Sequence, residues 1–129
     1  MVPTLHPGDL LWTRRPGSFR RGQIVVLHHD QELLIKRIVG LPGETVAIRH
    51  QCLFINGHLL SEPYVPETAF LQPQSDQMWT VGAGTYFVLG DARDDSLDSR
   101  RLGPISADEI IGTAVCRLWP PPFVLGSKE

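Results

Sequence analysis

Apolar residues fall in short runs, and eleven Pro and twelve Gly divide them. Short runs between turn formers predict many strands and few helices. Leu10 to Thr13 follows the turn His6-Pro7-Gly8-Asp9. Ile24 to His28 is β-branched enough to be a buried strand. Leu33 to Val39 is another, stopped by Gly40-Leu41-Pro42-Gly43. Thr45 to Ile48 and Cys52 to Ile55 read as a hairpin pair, and Asn56-Gly57 turns tightly into His58-Leu59-Leu60. Residues 61–80 are polar, contain proline and lack a period, which predicts an irregular surface insertion. Thr85 to Leu89 restores the strand pattern. A charged loop from Gly90 to Gly103 follows it. Ser106 can cap a single helical turn over Ala107 to Ile110. Ile111 to Trp119 gives a last strand, halted by Pro120-Pro121-Pro122. The pattern predicts an all-β fold of small coiled antiparallel sheets with one inserted loop region and few short helical turns.

A length of 129 residues supports one domain with a core. The net charge of −2 gives no global pull toward nucleic acid. Arg14, Arg15, Arg20 and Arg21 still form a local basic cluster. Such clusters are ordinarily solvated turn residues; the other reading is a site for a phosphate or a lipid headgroup. The sequence holds no apolar stretch of the roughly 18 residues that a membrane helix needs. Its opening, Met-Val-Pro-Thr-Leu-His-Pro, has no signal-peptide h-region. Cys52 and Cys116 are too few for a disulfide framework, and their spacing does not say whether they pair.

Lys36 sits inside an apolar run, between Leu33-Leu34-Ile35 and Ile38-Val39. On an alternating strand it shares a face with Leu34 and Ile38, while Ile35 and Arg37 share the other. Removal of water from the ammonium favours the neutral amine, which can act as a general base. The ordinary alternative is an edge lysine whose head reaches water. The loop after Gly90 crowds Asp91, Arg93, Asp94, Asp95, Asp98, Arg100 and Arg101 together. Opposite charges at this density can fold a loop on itself, with Asp98 and Arg100 as one candidate pair. Ser96 can offer its hydroxyl to a neighbouring amine. The acidic spacing does not fit a calcium loop, and the arginines compete with any cation. His28 and His29 are adjacent and face opposite ways on a strand, so no Ser-His-Asp grouping suggests itself.

Taken together, these segments resemble the type I signal peptidases, a Ser/Lys protease family in a clan shared with self-cleaving repressors. The family's nucleophile segment has the form Ser-Met-x-Pro-Thr-Leu, then Gly-Asp. Met1 to Leu5 and Gly8-Asp9 match all of it after the serine. The family's lysine segment, Lys-Arg-x-x-Gly-x-Pro-Gly-Asp/Glu, is matched by Lys36 to Glu44. Its terminal segment, Gly-Asp-Asn-Arg-x-x-Ser-x-Asp-Ser-Arg, is matched by Gly90 to Arg100, with Ala92 in place of Asn. Ile55-Asn56-Gly57, Glu62-Pro63-Tyr64 and Trp119-Pro120 fit as well. The likeness implies a catalytic domain over residues 1–124, with the 61–80 insertion inside it and a tail over 125–129.

The resemblance implies roles. Lys36 would be the general base and Ser96 would orient its amine. Arg37, Asp91, Asp98 and Arg100 would support the site, with Asp98 and Arg100 paired. Met1, Leu5 and Ile35 would contact the substrate and favour small side chains, as in Ala-x-Ala ends of signal peptides. The nucleophilic serine would immediately precede Met1. The expectation is therefore a signal peptidase domain, inactive as given, whose sequence resumes in register after a lost serine. Alternatives are a non-catalytic relative and a clan member that cleaves one dedicated precursor or itself. No metal or organic cofactor is implied. The implied partners are signal peptides of exported pre-proteins and a membrane lipid surface, on the extracytoplasmic face.

Overall fold

The computed structural model describes residues 1, 3–6, 8–66, 75–94, 96–119 and 123–124, with those from 117 onward described by backbone path alone. Their chain is mostly antiparallel β. In order the strands are β1 Leu10–Arg14, β2 Ile24–His29, β3 Glu32–Gly40, β4 Thr45–Arg49, β5 Cys52–Ile55 and β6 His58–Leu59. They continue with β7 Gln77–Thr80, β8 Thr85–Leu89, β9 Ile105–Ser106, β10 Ile110–Trp119 and β11 Phe123–Val124. One helical turn, α1 Ser99–Leu102, and a 3-10 turn at Ala107–Glu109 interrupt them. A large sheet runs β1-β10-β2-β3-β8-β9, with β11 also on β10; a small sheet runs β6-β5-β4-β7.

Two-residue turns set the pairing. Asp30-Gln31 joins β2 to β3 with φ of 47° and 67°, and His50-Gln51 joins β4 to β5 with 50° and 66°. Positive φ at both central residues gives the turn twist that matches paired strands. The first of these hairpins places Val25 opposite Lys36 and Ile24 opposite Arg37. The strand's far side pairs Arg37 with Leu89 and Ile38 with Val88.

β3 and β8 feed two cores because successive side chains point to opposite faces. Ile38 and Val88 join Val25, Leu27 and Ile110 in one cluster, which Phe19 and Tyr86 close edge to face at 5.4 Å. Val39, Phe87 and Leu89 join Val46, Leu53 and Val81 in the other. Gly40 lets the end of β3 lie close against the second cluster: a Cβ there would stand 2.7 Å from Val46 Cγ2 and 2.8 Å from Phe87 Cβ.

Several elements differ from the sequence expectation. The 61–80 insertion ends in a strand, since Gln77–Thr80 pairs with β4 from Thr45↔Thr80 to Ile48↔Gln77. Trp79 packs on Phe87 at 4.8 Å, while Gln77, Met78 and Thr80 stay exposed. A strand with one apolar anchor carries almost no period-2 signal. Residues 67–74 of that insertion, and the 125–129 tail, lie outside the described part. The charged loop ends in α1, capped by Asp98, whose side chain accepts from the Arg100 N–H. The chain also pairs again after the prolines, with Cys116↔Val124 and Arg117↔Phe123. Cys52 and Cys116 are free thiols, Cys52 exposed and Cys116 partly covered.

Candidate active site

Lys36 lies on β3 with only 9% of its surface exposed. Its face carries Val25 across the hairpin and Ile38 two residues on, so its stem is packed in apolar surroundings. Its Nζ donates to Ser96 Oγ at 2.8 Å, across 60 residues of sequence. Gly90 makes that approach geometrically available. A Cβ on Gly90 would stand 2.0 Å from Ser96 Oγ and 3.5 Å from Lys36 Nζ.

Arg37 projects from the opposite face and anchors the surroundings. It is 5% exposed and holds fully buried Asp91 through two bonds, at 3.0 Å from Nε and 2.8 Å from an Nη. Its other Nη donates to the Gly22 carbonyl at 2.9 Å. Thr4 donates to the same Asp91 at 3.0 Å, which ties the start of the chain to this pair. The Leu5 N–H donates to the Met1 carbonyl at 2.9 Å, closing a tight turn. Burial pushes the Met1 amine below its ordinary value, and the Lys36 charge pushes the same way, against the pull of Asp91. Met1 and Ile35 pack against buried Leu5, Ile24 and Ala114 in a third apolar cluster.

The loop carrying Ser96 is fixed at both ends. Asp98 accepts from the Gly90 N–H at 3.1 Å and closes the loop on itself. It also takes two bonds from the Arg100 guanidinium, at 2.9 and 2.8 Å. Ser99 Oγ accepts from the Val88 N–H at 2.9 Å and staples α1 to β8. Arg93 donates to the Gly90 carbonyl at 2.8 Å and pairs with Glu62, at 2.9 Å through one of two contacts. Burial opposes the charge on Arg93, but the Glu62 carboxylate outweighs it and raises the Arg93 pKa. Glu62 also accepts from the Tyr64 hydroxyl at 3.0 Å, and the Arg37 guanidinium lies 3.9 Å over the Tyr64 ring. Burial, with Glu62 beside it, pushes the Tyr64 hydroxyl well above its ordinary range. One connected network thus runs from Thr4 through Asp91, Arg37, Tyr64, Glu62 and Arg93 to Gly90.

The model of the family described as signal peptidase, peptidase S26, matches residues 1–119. The chain belongs to the signal peptidase family. It is 38% identical to a signal peptidase I of Bacillus amyloliquefaciens, over 93% of this chain and 71% of that one. It is 36% identical to signal peptidase I T of Bacillus subtilis, over 93% and 69%. The crystal structure of a signal peptidase I from Enterococcus faecalis matches with a TM-score of 0.66 and 33% identity, covering 74% of this chain and 96% of that one. The signal peptidase likeness and the mostly antiparallel fold agree.

Among the sequence-derived candidates, the structure brings together Lys36 and Ser96, Arg37 and Asp91, Asp98 and Arg100, and Met1, Leu5 and Ile35. Sequence reasoning gave no individual place to Thr4, Glu62, Tyr64, Gly90, Arg93 or Ser99. Their contacts join residues up to 87 positions apart, which no local period reports. Apart from the charge of Arg93 in the crowded loop, their signal was membership of the matched segments. Among the described residues no group of three His, Cys, Asp or Glu side chains gathers as for a metal ion. No helix among them is long and apolar enough to cross a membrane.

Proposed function

We propose that this chain is the catalytic domain of a signal peptidase I that cleaves signal peptides from exported pre-proteins by a Ser/Lys mechanism. The observation that supports it is the 2.8 Å bond from the nearly buried Lys36 amine to Ser96 Oγ. Lys36 is the general base. As the neutral amine it has one lone pair, and donation of an N–H to Ser96 fixes the direction of that lone pair. The family's segment puts the nucleophilic serine directly before Met1, which packs in one cluster with Leu5 and with Ile35, the residue before Lys36. Lys36 takes the serine proton as the oxygen attacks the scissile carbonyl carbon. The ammonium so formed gives that proton to the departing amine as the C–N bond breaks. Water, deprotonated by Lys36, then hydrolyses the acyl-enzyme. The cluster of Met1, Leu5 and Ile35 receives the small side chain before the cleaved bond. The reaction takes place at a membrane surface on the extracytoplasmic side.

The test is a chain extended upstream with the family's segment ending in Ser before Met1. Cleavage after Ala-x-Ala is expected from it, and not from the chain beginning at Met1. Lys36→Arg should lower the rate by about 10²–10⁴-fold, since a guanidinium keeps its proton. Ser96→Ala should lower the rate while the thermal midpoint holds. If the extended Lys36→Arg protein folds and cleaves as well as its parent, Lys36 is removed from the mechanism.

A further inference from the structure

The four-arginine cluster, which runs from the last residue of β1 to the approach of β2, divides in the folded chain. Arg15 donates to the Ile110 carbonyl. Arg21 forks onto Glu44 with both bonds at 2.8 Å. Arg14 and Arg20 are exposed, and among the described residues their guanidinium groups make no ion pair or hydrogen bond. They line one open cleft of about 600 Å³, together with Ser18, Gln23 and Thr113. The cleft contains neither Lys36 nor Ser96 nor the charged residues around them; it shares only Ala114 with the cluster of Met1, Leu5 and Ile35.

The cleft wall presents donors. Gln23 Oε1 accepts from the Arg20 N–H at 2.8 Å, which leaves the amide NH₂ of Gln23 as a donor. Thr113 lies opposite Arg14 in the strand pairing and is 6% exposed. Its Oγ1 is buried and has no hydrogen-bond partner among the described residues. Buried hydroxyls are nearly always bonded, so an orphan in the wall of a cationic cleft points to a missing acceptor. Two guanidinium forks, an amide and a hydroxyl match the oxygen atoms of a phosphate group.

We propose that this cleft is a binding site for a phosphate group, either free or on a lipid headgroup. Arg14 and Arg20 hold the charge, and Gln23 and Thr113 take the remaining oxygens. The whole chain has a net charge of −2, so the attraction is local to this cleft.

The test uses amide NMR shifts of the chain titrated with inorganic phosphate at constant ionic strength, and flotation with phosphatidylglycerol vesicles. Saturable shifts at Ser18, Gln23 and Thr113 are expected. The double variant Arg14→Gln, Arg20→Gln should weaken binding about tenfold or more. Thr113→Val should weaken it about fivefold. Arg49→Gln, an exposed arginine on β4, should leave it unchanged. Phosphate binding without flotation assigns free phosphate. Flotation lost in the double variant assigns a headgroup. Thermal melts of each variant separate lost binding from lost fold. The proposal falls if neither probe binds, or if the folded double variant binds or floats like the parent.

Discussion

Ser96 is held at Lys36 by what is missing from Gly90. The space that a Cβ would fill is occupied by the Ser96 hydroxyl, 2.0 Å away. No side-chain atom can share that volume, so Gly90→Ala must move Ser96 off the amine. In the serine-extended protein we expect a rate loss on the order of 10²-fold, the scale of a misplaced catalytic group. Its thermal midpoint should change far less than its rate, because the loop's other anchors remain. A Gly90→Ala protein that cleaves at the parent rate would show that the Ser96 contact does not matter. The sequence carried part of this residue-scale picture. Lysine inside an apolar run suggested a desolvated amine, and alternation put it on the face of Ile38. The glycine's role was illegible, since it depends on a serine placed by the fold.

At the scale of elements, β3 and the Gly90–Gly103 loop depend on buried ion pairs. Asp91 is fully buried against Arg37, which is itself 5% exposed. Removing one partner leaves the other charged in a dry place. Asp91→Ala is therefore expected to cost about 3–5 kcal/mol, measured by urea unfolding. A loss below about 1 kcal/mol would mean that the pair is better solvated than its burial states. Ser99→Ala should cost about 1 kcal/mol, the bond from the Val88 N–H. Most strands were legible because their alternation or β-branched runs were long. Gln77–Thr80 was not, with Trp79 alone turned inward. Ser99–Leu102 was hidden by its brevity, one turn specified by a cap and a staple rather than by a period.

For the molecule as a whole, stability should fall at both ends of the pH range for separate reasons. The hydrogen bond from Arg21 holds the Glu44 carboxyl below its ordinary value of 4.5, against the effect of burial. A lowered folded value means that the folded state favours the carboxylate. Its contribution is complete above the unfolded value and is lost as pH falls through the folded one. Urea midpoints should therefore decline below about pH 5, and Glu44→Gln should flatten that decline. Tyr64 works in the other sense. Its folded value is raised above 10.0, so its contribution is complete below that pH and lost as pH rises beyond it. Tyr64→Phe should flatten the alkaline limb, and an unchanged limb would mean that Tyr64 is not what titrates there. Neither effect could be read from the chain, because Arg21 meets Glu44 across 23 residues and Tyr64 is buried only once the chain has folded over it.

Lys36 and Arg37 are neighbours that serve opposite sides of one strand, and their assignment rests on parity alone. The Asp30-Gln31 turn sets that parity by fixing Val25 against Lys36. Slide β3 by one residue and the guanidinium would face Ser96, while the ammonium would face Asp91. Both swaps keep the charges and abolish the chemistry, since arginine does not give up its proton. A one-residue insertion that slides β3 past β2 would therefore silence the site while leaving every side chain of it in the chain.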